Sequence, residues 1–172
     1  LEAVDLKLFD NQIEKSLKGE EVVTPTYNFL TGNKEYNNKI KLGNSDVLVI
    51  EGIHALDKRV LTNISKNKIF RIYISALTEL NIDNHNYIST TDNRLLRRII
   101  RDNKTRGHGV QRTISTWPDV RSGEEKYIFP YQDNADYTFN SALIYEIGVL
   151  KTYAEPLLYA VDPSDSCYEE AK

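Results

Sequence analysis

A run of four consecutive apolar residues, Val47 to Ile50, most constrains the fold of this chain. Asp46 precedes the run, and Glu51 and Gly52 follow it. Uninterrupted Val, Leu and Ile residues favour a strand that is covered on both faces, as strands of parallel sheets are. Parallel strands need long crossover connections, and these are usually helices. The run therefore predicts an α/β fold in which helices flank a parallel sheet.

Hydrophobic periodicity predicts further strands and helices on either side of this run. We expect an extended segment over residues 22–27, in which Pro25 disfavours a central strand, and strands over 68–75 and 135–140. We also expect a β-hairpin within 29–42 whose turn is at Gly32 and Asn33. We expect helices over residues 3–18, 58–64, 91–104 and 145–160. Residues 1–160 are then one α/β domain with right-handed crossovers, and residues 161–172 are a polar, poorly ordered tail.

The charge of the chain is distributed unevenly. Its 172 residues contain 22 Lys and Arg and 25 Asp and Glu, which gives a net charge of −3. Between Arg94 and Arg112 there are seven basic residues and one acidic residue, so this window carries +6 and the remainder −9. A charge run is often only a solvated helix face. A cluster this one-sided in an acidic chain instead favours an anionic ligand, either nucleotide phosphates or RNA.

Four arginines are predicted to share one face of the helix over 91–104. They recur at i, i+3, i+4 and i+7, at Arg94, Arg97, Arg98 and Arg101. Guanidinium groups bind phosphate oxygens in bidentate fashion, and a bound anion would relieve the repulsion among the four cations. The stretch from Arg106 to Lys126 begins with Arg-Gly-His-Gly and suits a mobile helical lid that closes over phosphates.

Two further features are candidates for a binding site. Glu51 ends the apolar run, at the edge of a parallel sheet where ligands bind, although strands that end in Glu are common without a function. A carboxylate at this place could hold Mg²⁺ through water, and Gly52 would leave room for the ligand. Tyr27 and Phe29 lie two apart in an extended segment. Their rings would either pack in the core or form a platform for a planar base.

Other classes of function are disfavoured by the composition. No apolar run approaches the roughly 20 residues that cross a bilayer, so no membrane partner is expected. Cys167 is the only cysteine, which allows no internal disulfide and favours a reducing, cytoplasmic setting. The three histidines, at 54, 85 and 108, lack the spacing of metal ligands. No serine has the Gly-x-Ser-x-Gly setting of a hydrolase nucleophile.

The order of these segments resembles the uridine kinase/phosphoribulokinase family of P-loop kinases, over about Ala3 to Pro156. The segments that carry the resemblance are Pro25-Thr-Tyr27-Asn-Phe29, Asp46 to Ile53, Asp92 to Asp102, Arg106-Gly107, and Phe129-Pro130 before Ala135-Asp136. Residues 81–89 and 118–125 are similar to those of a bacterial uridine kinase-like subgroup. The resemblance implies a partial P-loop NTPase fold, nucleoside kinase-like, with a parallel sheet flanked by helices, a β-hairpin and a helical lid.

The resemblance also implies roles in ATP-dependent phosphoryl transfer with Mg²⁺. Glu51 would be the acidic residue that ends the Walker-B-like strand and holds Mg²⁺, directly or through water. Arg98 would contact the phosphate acceptor and share in catalysis with Glu51. Arg101 and Arg106 would contact ATP phosphates from the lid. His108 would stand in the same region, where these kinases usually have another arginine.

For the acceptor, the resemblance implies a nucleoside-like small molecule. Tyr27 and Phe29 would line its pocket. Two departures put pyrimidine recognition in question, because Gly32 replaces a usual histidine and Asn28 a usual aspartate. A sugar phosphate or a pantothenate-like acceptor therefore stays an alternative.

The sequence also lacks the phosphate-binding loop of this family. None of its eight glycines is followed by Lys, so there is no Gly-x-x-x-x-Gly-Lys-[Ser/Thr] pattern. We expect that loop and the first strand to lie upstream of Leu1, and the 172 residues alone to be a truncated, inactive piece of the kinase. The alternative from another class is an RNA-binding or regulatory module on a kinase scaffold. A homo-oligomer is left open.

Overall fold

The computed structural model of the chain describes residues 2, 4–28, 32–78, 81 and 83–172. The chain divides into two compact units. The first unit comprises Leu1–Arg71 and Pro130–Ala135, and the second comprises Ile72–Phe129 and Asp136–Lys172. Helices occur together with two small sheets, so the mixed α/β composition is confirmed. Over the described residues, no helix combines the length and the apolar character needed to span a bilayer.

The first unit contains a helix and an antiparallel hairpin. Helix α1 spans Leu6–Leu17, and the strands are β1, Val22–Asn28, and β2, Asn33–Ile40. The carboxylate of Asp5 caps α1 by accepting from the Leu8 N–H at 3.1 Å. The helix predicted over 3–18 and the extended segment predicted over 22–27 are confirmed, with shifted ends. The hairpin differs from the prediction because its first arm is β1 itself rather than residues after 28.

The apolar run that predicted a buried parallel strand is not a strand in this structure. Residues 46–51 have no regular secondary structure, and Val47 and Val49 are each 84% exposed. A strand is stable only when neighbouring strands satisfy its backbone and cover its side chains. Among the described residues no strand pairs with this run. The composition of a buried strand is therefore present without the partners that such a strand requires.

The helix predicted over 58–64 is also absent, and this stretch forms turns. The buried carboxylate of Asp57 accepts from both the backbone N–H and the guanidinium of Arg59, at 2.9 and 2.7 Å. Leu61 has a φ of 60°, and Asp10 accepts from its N–H at 3.1 Å. A seven-residue helix gains little against its nucleation cost, so these side-chain contacts decide the local structure.

The second unit contains two parallel strands and five helices among its described residues. Their bounds are β3 Ile72–Ser75, α2 Thr90–Arg106, α3 Val110–Ser115, α4 Trp117–Tyr127, β4 Tyr137–Asn140, α5 Glu146–Tyr159 and α6 Tyr168–Ala171. The strands pair in register from Ile72 with Tyr137 to Ser75 with Asn140. The predicted strands over 68–75 and 135–140 and the predicted helices over 91–104 and 145–160 are confirmed, with shifted ends.

The core of the second unit lies where α2 packs against α3 and α5. Ile99 of α2 is 1% exposed at its centre. The buried members of the core cluster are Ile99, Val110, Ile114, Val161, Cys167 and Ala171. The last three belong to the segment predicted as a polar, poorly ordered tail, whose apolar side chains are thus packed on α2 and α3. The domain boundary after residue 160 stays a prediction.

Candidate functional site

Three arginines surround one buried carboxylate at the end of α2. The Asp102 side chain is 2% exposed. The Nε and Nη2 of Arg101 both donate to its Oδ1, at 3.0 and 2.9 Å. The Nη1 of Arg106 lies 3.2 Å from the same oxygen, and the Nε of Arg98 lies 3.3 Å from Oδ2. Because Arg98, Asp102 and Arg106 are spaced by four residues, the helix itself brings them together. We call these four residues the arginine cluster.

The arginine cluster has a net positive charge. Three guanidinium cations and one carboxylate leave +2, which is opposite in sign and similar in magnitude to the charge of about −2 on a phosphate group. Burial raises the pKa of Asp102, but the hydrogen bond from Arg101 and the charges of Arg101, Arg98 and Arg106 outweigh it, so the pKa lies below its usual value. Asp102 is therefore ionised at neutral pH. About half of the Arg101 and Arg106 side-chain surface remains exposed to a ligand.

The end of α2 holds His108 next to the arginine cluster. Gly107 adopts φ +64°, a left-handed conformation in which glycine is not strained. This turn lets the backbone N–H groups of Gly107 and His108 both donate to the carbonyl of Asp102, the second at 3.1 Å. Asp102 thus fixes the helix end through its carbonyl and the arginines through its carboxylate. Arg98, predicted to contact the acceptor, and Arg101 and Arg106, predicted to contact ATP phosphates, thus lie around one residue. The backbone of His108 contacts the same residue.

The other two arginines of the predicted face have structural partners. Arg94 pairs with Glu124 of α4 at 2.5 Å, and Arg97 pairs with Glu146 of α5 through two N–H groups. The hydrogen bond from Arg97 lowers the pKa of Glu146, and burial opposes this only in part. The repulsion that was expected to be relieved by a bound anion is therefore reduced by three protein carboxylates. Arg94 and Arg97 connect α2 to its neighbouring helices.

Of the residues predicted to line the acceptor pocket, Tyr27 lies in the first unit, near the tip of the hairpin. Tyr27 is 52% exposed, so its ring is not part of the core. A Cβ added to Gly32 would come within 3.9 Å of the Tyr27 hydroxyl, and Gly32 has φ +69°. The Asn28 amide donates to Glu35 at 2.7 Å. Phe29, the second predicted ring, lies outside the described residues.

Glu51 lies in the first unit as well. Its side chain is exposed within the irregular stretch that follows the apolar run. Within the described ranges, no group of three or more His, Cys, Asp or Glu residues has a geometry that could hold a metal ion. A single carboxylate still fits Mg²⁺, because this ion is commonly bound by one or two carboxylates together with substrate phosphates and water. Two shallow cavities border α1 and Arg59, and neither is lined by a predicted site residue.

Sequence reasoning missed the carboxylates that complete this arrangement. Asp102 is the single acidic residue of the basic window, and no role was predicted for it. Its spacing of four residues from both Arg98 and Arg106 is nevertheless typical of ion pairs on a helix. Glu124 and Glu146 are 30 and 49 residues away from their arginine partners. No local pattern indicates pairs at such separations, so only the tertiary structure identifies them.

A parallel strand pair next to an arginine-lined helix is consistent with a fragment of a P-loop-like kinase. The chain matches the model of the Phosphoribulokinase / Uridine kinase family over residues 1–147, and it belongs to this family. The resemblance noted from the sequence motifs is thereby confirmed.

Three relatives illustrate this membership, and each is named a uridine kinase. The chain is 29% identical over 136 residues to that of Staphylococcus haemolyticus, covering 78% of this chain and 57% of the relative. It is 30% identical over 138 residues to that of Staphylococcus epidermidis, with the same coverage. It is 31% identical over 135 residues to that of Staphylococcus aureus, covering 74% of this chain and 56% of the relative. The chain thus spans little more than half the length of these relatives.

Proposed function

We propose that this chain takes part in ATP-dependent phosphoryl transfer to a hydroxyl group of a uridine- or cytidine-like nucleoside. Family membership supports the kinase class, and the relatives' names support a nucleoside acceptor. The observation that carries the proposal is the convergence of Arg98, Arg101 and Arg106 on Asp102. A +2 cluster with exposed N–H donors is suited to phosphate oxygens, and phosphoryl transfer depends mainly on positioning and on stabilising charge.

In this proposal the residues of the arginine cluster have different tasks. Arg98 is 27% exposed and contacts the phosphate acceptor during the reaction. Arg101 and Arg106 are about half exposed and bind the ATP phosphates, with His108 beside them. Glu51 is the carboxylate that holds Mg²⁺ directly or through water. The metal would neutralise the phosphates and orient them for attack.

Tyr27 and Phe29 bind the acceptor in this proposal. The exposed ring of Tyr27 offers a planar apolar surface on which a base can stack. A sugar phosphate or a pantothenate-like acceptor is the alternative within the same chemistry, because Gly32 supplies no side chain to hydrogen-bond a base. Comparing these acceptors with uridine and cytidine in one assay decides between them.

We also propose that the 172 residues alone do not catalyse the transfer. The sequence has no Gly-x-x-x-x-Gly-Lys loop, whose backbone N–H groups and Lys hold the β- and γ-phosphates in P-loop kinases. The test is ADP release with uridine as acceptor, measured for this chain and for a longer protein that extends it at the N-terminus with a strand and a Gly-x-x-x-x-Gly-Lys-Ser loop. Turnover by the 172-residue chain itself would refute the requirement for the loop. Absence of turnover in the longer protein with every acceptor would refute the kinase assignment.

The roles of the two arginines are tested in the longer protein. Arg101→Ala should lower kcat/KM for ATP by about 10- to 100-fold, the value of one charge-assisted hydrogen bond, with a smaller effect on the acceptor KM. Arg98→Ala should mainly affect the acceptor. Arg121→Ala is the matched control, because this arginine of α4 pairs with the exposed Glu125. If both cluster variants behave like the control, the cluster is not a phosphate site.

RNA binding is a second candidate function, and the +6 charge of the window from Arg94 to Arg112 favours it. Two of its arginines are paired with Glu124 and Glu146, which reduces the charge available to a polyanion. RNA affinity that falls steeply with salt, in a protein without ATP binding, would support this function over the kinase.

A further inference from the structure

Asp102 has a central place in the arginine cluster, because all three arginines pair with its carboxylate. Its carboxylate is almost completely buried, and nitrogen atoms of Arg98, Arg101 and Arg106 lie within 3.3 Å of it. An arginine has five N–H donors. Arg101 gives two nitrogen atoms to Asp102, so its remaining donors are available to a ligand. The carboxylate thus holds the guanidinium groups in place without occupying all of their N–H donors.

We propose that Asp102 is a positioning residue for anion binding: its buried carboxylate holds Arg101 and Arg106, which receive polyphosphate oxygens, in one arrangement with Arg98. This inference rests on the proposed phosphate-binding function of the cluster. Arginine side chains have large rotamer entropy, and ordering three of them on ligand binding would reduce the affinity. A shared buried anchor orders them before the ligand arrives. The carboxylate of Asp102 neutralises one of the three positive charges, so the cluster keeps a net charge of +2 that attracts an anion.

Electrostatics and positioning predict opposite results when this carboxylate is neutralised. Asp102→Asn raises the charge of the cluster from +2 to +3. If Asp102 were only a counter-ion, polyphosphate would bind more tightly to the variant. If Asp102 positions the arginines, polyphosphate should bind less tightly despite the added charge. An asparagine has one acceptor oxygen and one NH₂ group, so at least one guanidinium would face a donor in place of its acceptor.

The experiment measures binding of inorganic tripolyphosphate to the 172-residue chain by isothermal titration calorimetry. The affinity of Asp102→Asn should fall by about tenfold or more, which corresponds to roughly 1.4 kcal/mol. Asp102→Glu keeps the charge and both acceptor oxygens, so it should recover most of the wild-type affinity. Asp57→Asn is the matched control, because Asp57 is an equally buried aspartate with an arginine partner in the other unit. It should leave tripolyphosphate affinity unchanged.

Each alternative outcome overturns the inference. Unchanged or tighter binding by Asp102→Asn would make the carboxylate a simple counter-ion. An equal loss in Asp102→Asn and Asp102→Glu would indicate packing rather than anchoring. Absence of tripolyphosphate binding by the wild type would remove the anion site itself.

If Asp102→Asn does not fold, wild-type NMR decides the question. The Nε–H signal of Arg101 should be protected from exchange with water before tripolyphosphate is added and remain protected afterwards. Loss of this protection on binding would mean that the anion displaces Asp102, which contradicts an anchor. The proposed kinase function is judged separately, by ADP release from the longer protein, so the two can fail independently.

Discussion

The ion pair between Arg97 and Glu146 predicts a large stability effect from a single uncharged substitution. Glu146 is 13% exposed in its side chain, and it accepts two N–H groups of Arg97. The amide of the buried Asn93 also donates to Glu146, at 3.4 Å. Glu146→Gln keeps the shape of the side chain but presents an NH₂ group to the guanidinium. The variant therefore loses the charge and at least one of these hydrogen bonds.

The magnitude follows from the partial burial of the pair. A hydrogen bond to a charged group contributes about 1.5–3 kcal/mol when it is shielded from water, and an exposed ion pair contributes about 0.2–1 kcal/mol. Arg97 is 37% exposed, so solvent screens part of the interaction. We expect Glu146→Gln to lower the free energy of unfolding of the second unit by about 1–2 kcal/mol, between these limits. For a chain of this size that corresponds to a decrease in Tm of roughly 2–8 °C.

Urea denaturation followed by tryptophan fluorescence reports on the unfolding of the second unit, which contains the ion pair. Trp117 is the only tryptophan of the chain, and it is 9% exposed at the start of α4 in the second unit. Urea is uncharged and does not screen the ion pair, whereas guanidinium chloride would. Glu125→Gln is the control, because the pair of Glu125 with Arg121 is exposed and lies within one helix. Its effect should be no more than a few tenths of a kcal/mol.

A double-mutant cycle with Arg97→Gln separates the pair from other effects of each substitution. We expect a coupling free energy of about 1 kcal/mol between Arg97→Gln and Glu146→Gln. If Glu146→Gln has no greater effect than Glu125→Gln, or if the two substitutions are additive, the pair does not stabilise the packing of α2 on α5. The assignment of a structural role to Arg97 would then be wrong.

Three further predictions concern the same unit. Ser89→Ala removes the hydroxyl that caps α2 by accepting from the Asp92 N–H at 3.0 Å. The free energy of unfolding should fall by about 1 kcal/mol in urea denaturation, and an unchanged midpoint would contradict this. Gly107→Ala should lower the free energy of unfolding by about 1 kcal/mol, because Gly107 has φ +64°. The control Gly123→Ala, inside a helix, should raise the free energy of unfolding, and equal effects of the two substitutions would refute the argument from backbone conformation. Folding lowers the pKa values of Asp102 and Glu146, so their contribution to stability is complete above about pH 5 and is lost as the pH falls through the folded values. Acid titration of stability should show this loss, and a flat profile would exclude it.

Much of the second unit could be predicted from the sequence because its signals are local. Hydrophobic periodicity predicted a helix over 91–104, and α2 spans Thr90–Arg106, with Ser89 as its N-cap and Gly107 as its C-cap. The alternating residues of β3 and the short β4 were found in the same way. Their parallel pairing agrees with the expected α/β class. The helix over 145–160 was found despite Pro156, which lies inside α5.

The apolar run from Val47 to Ile50 shows the limit of such signals. Its apolar composition is typical of a buried strand, but a strand also requires neighbouring strands that pair with its backbone and cover its side chains. The described residues contain no strand that pairs with it, and Val47 and Val49 are left exposed. Glu51, whose predicted role depended on the end of this strand, consequently lies in an irregular segment. A composition argument therefore predicts a strand only together with its neighbours.

The arginines of α2 show the same distinction within the candidate site. The prediction that they share one helix face depended only on local spacing and was correct. The spacing did not distinguish the arginines that we propose to bind a ligand from those that pair with carboxylates of neighbouring helices. The separation depends on carboxylates that are distant in sequence, because Glu124 and Glu146 neutralise the first two arginines of the face. Among the residues that the structure describes, the arginines nearest the helix end share one carboxylate, Asp102, which is one negative charge for three cations. An excess of positive charge therefore persists at one end of α2, and we propose this end as the anion site because binding there would not compete with the ion pairs of Arg94 and Arg97.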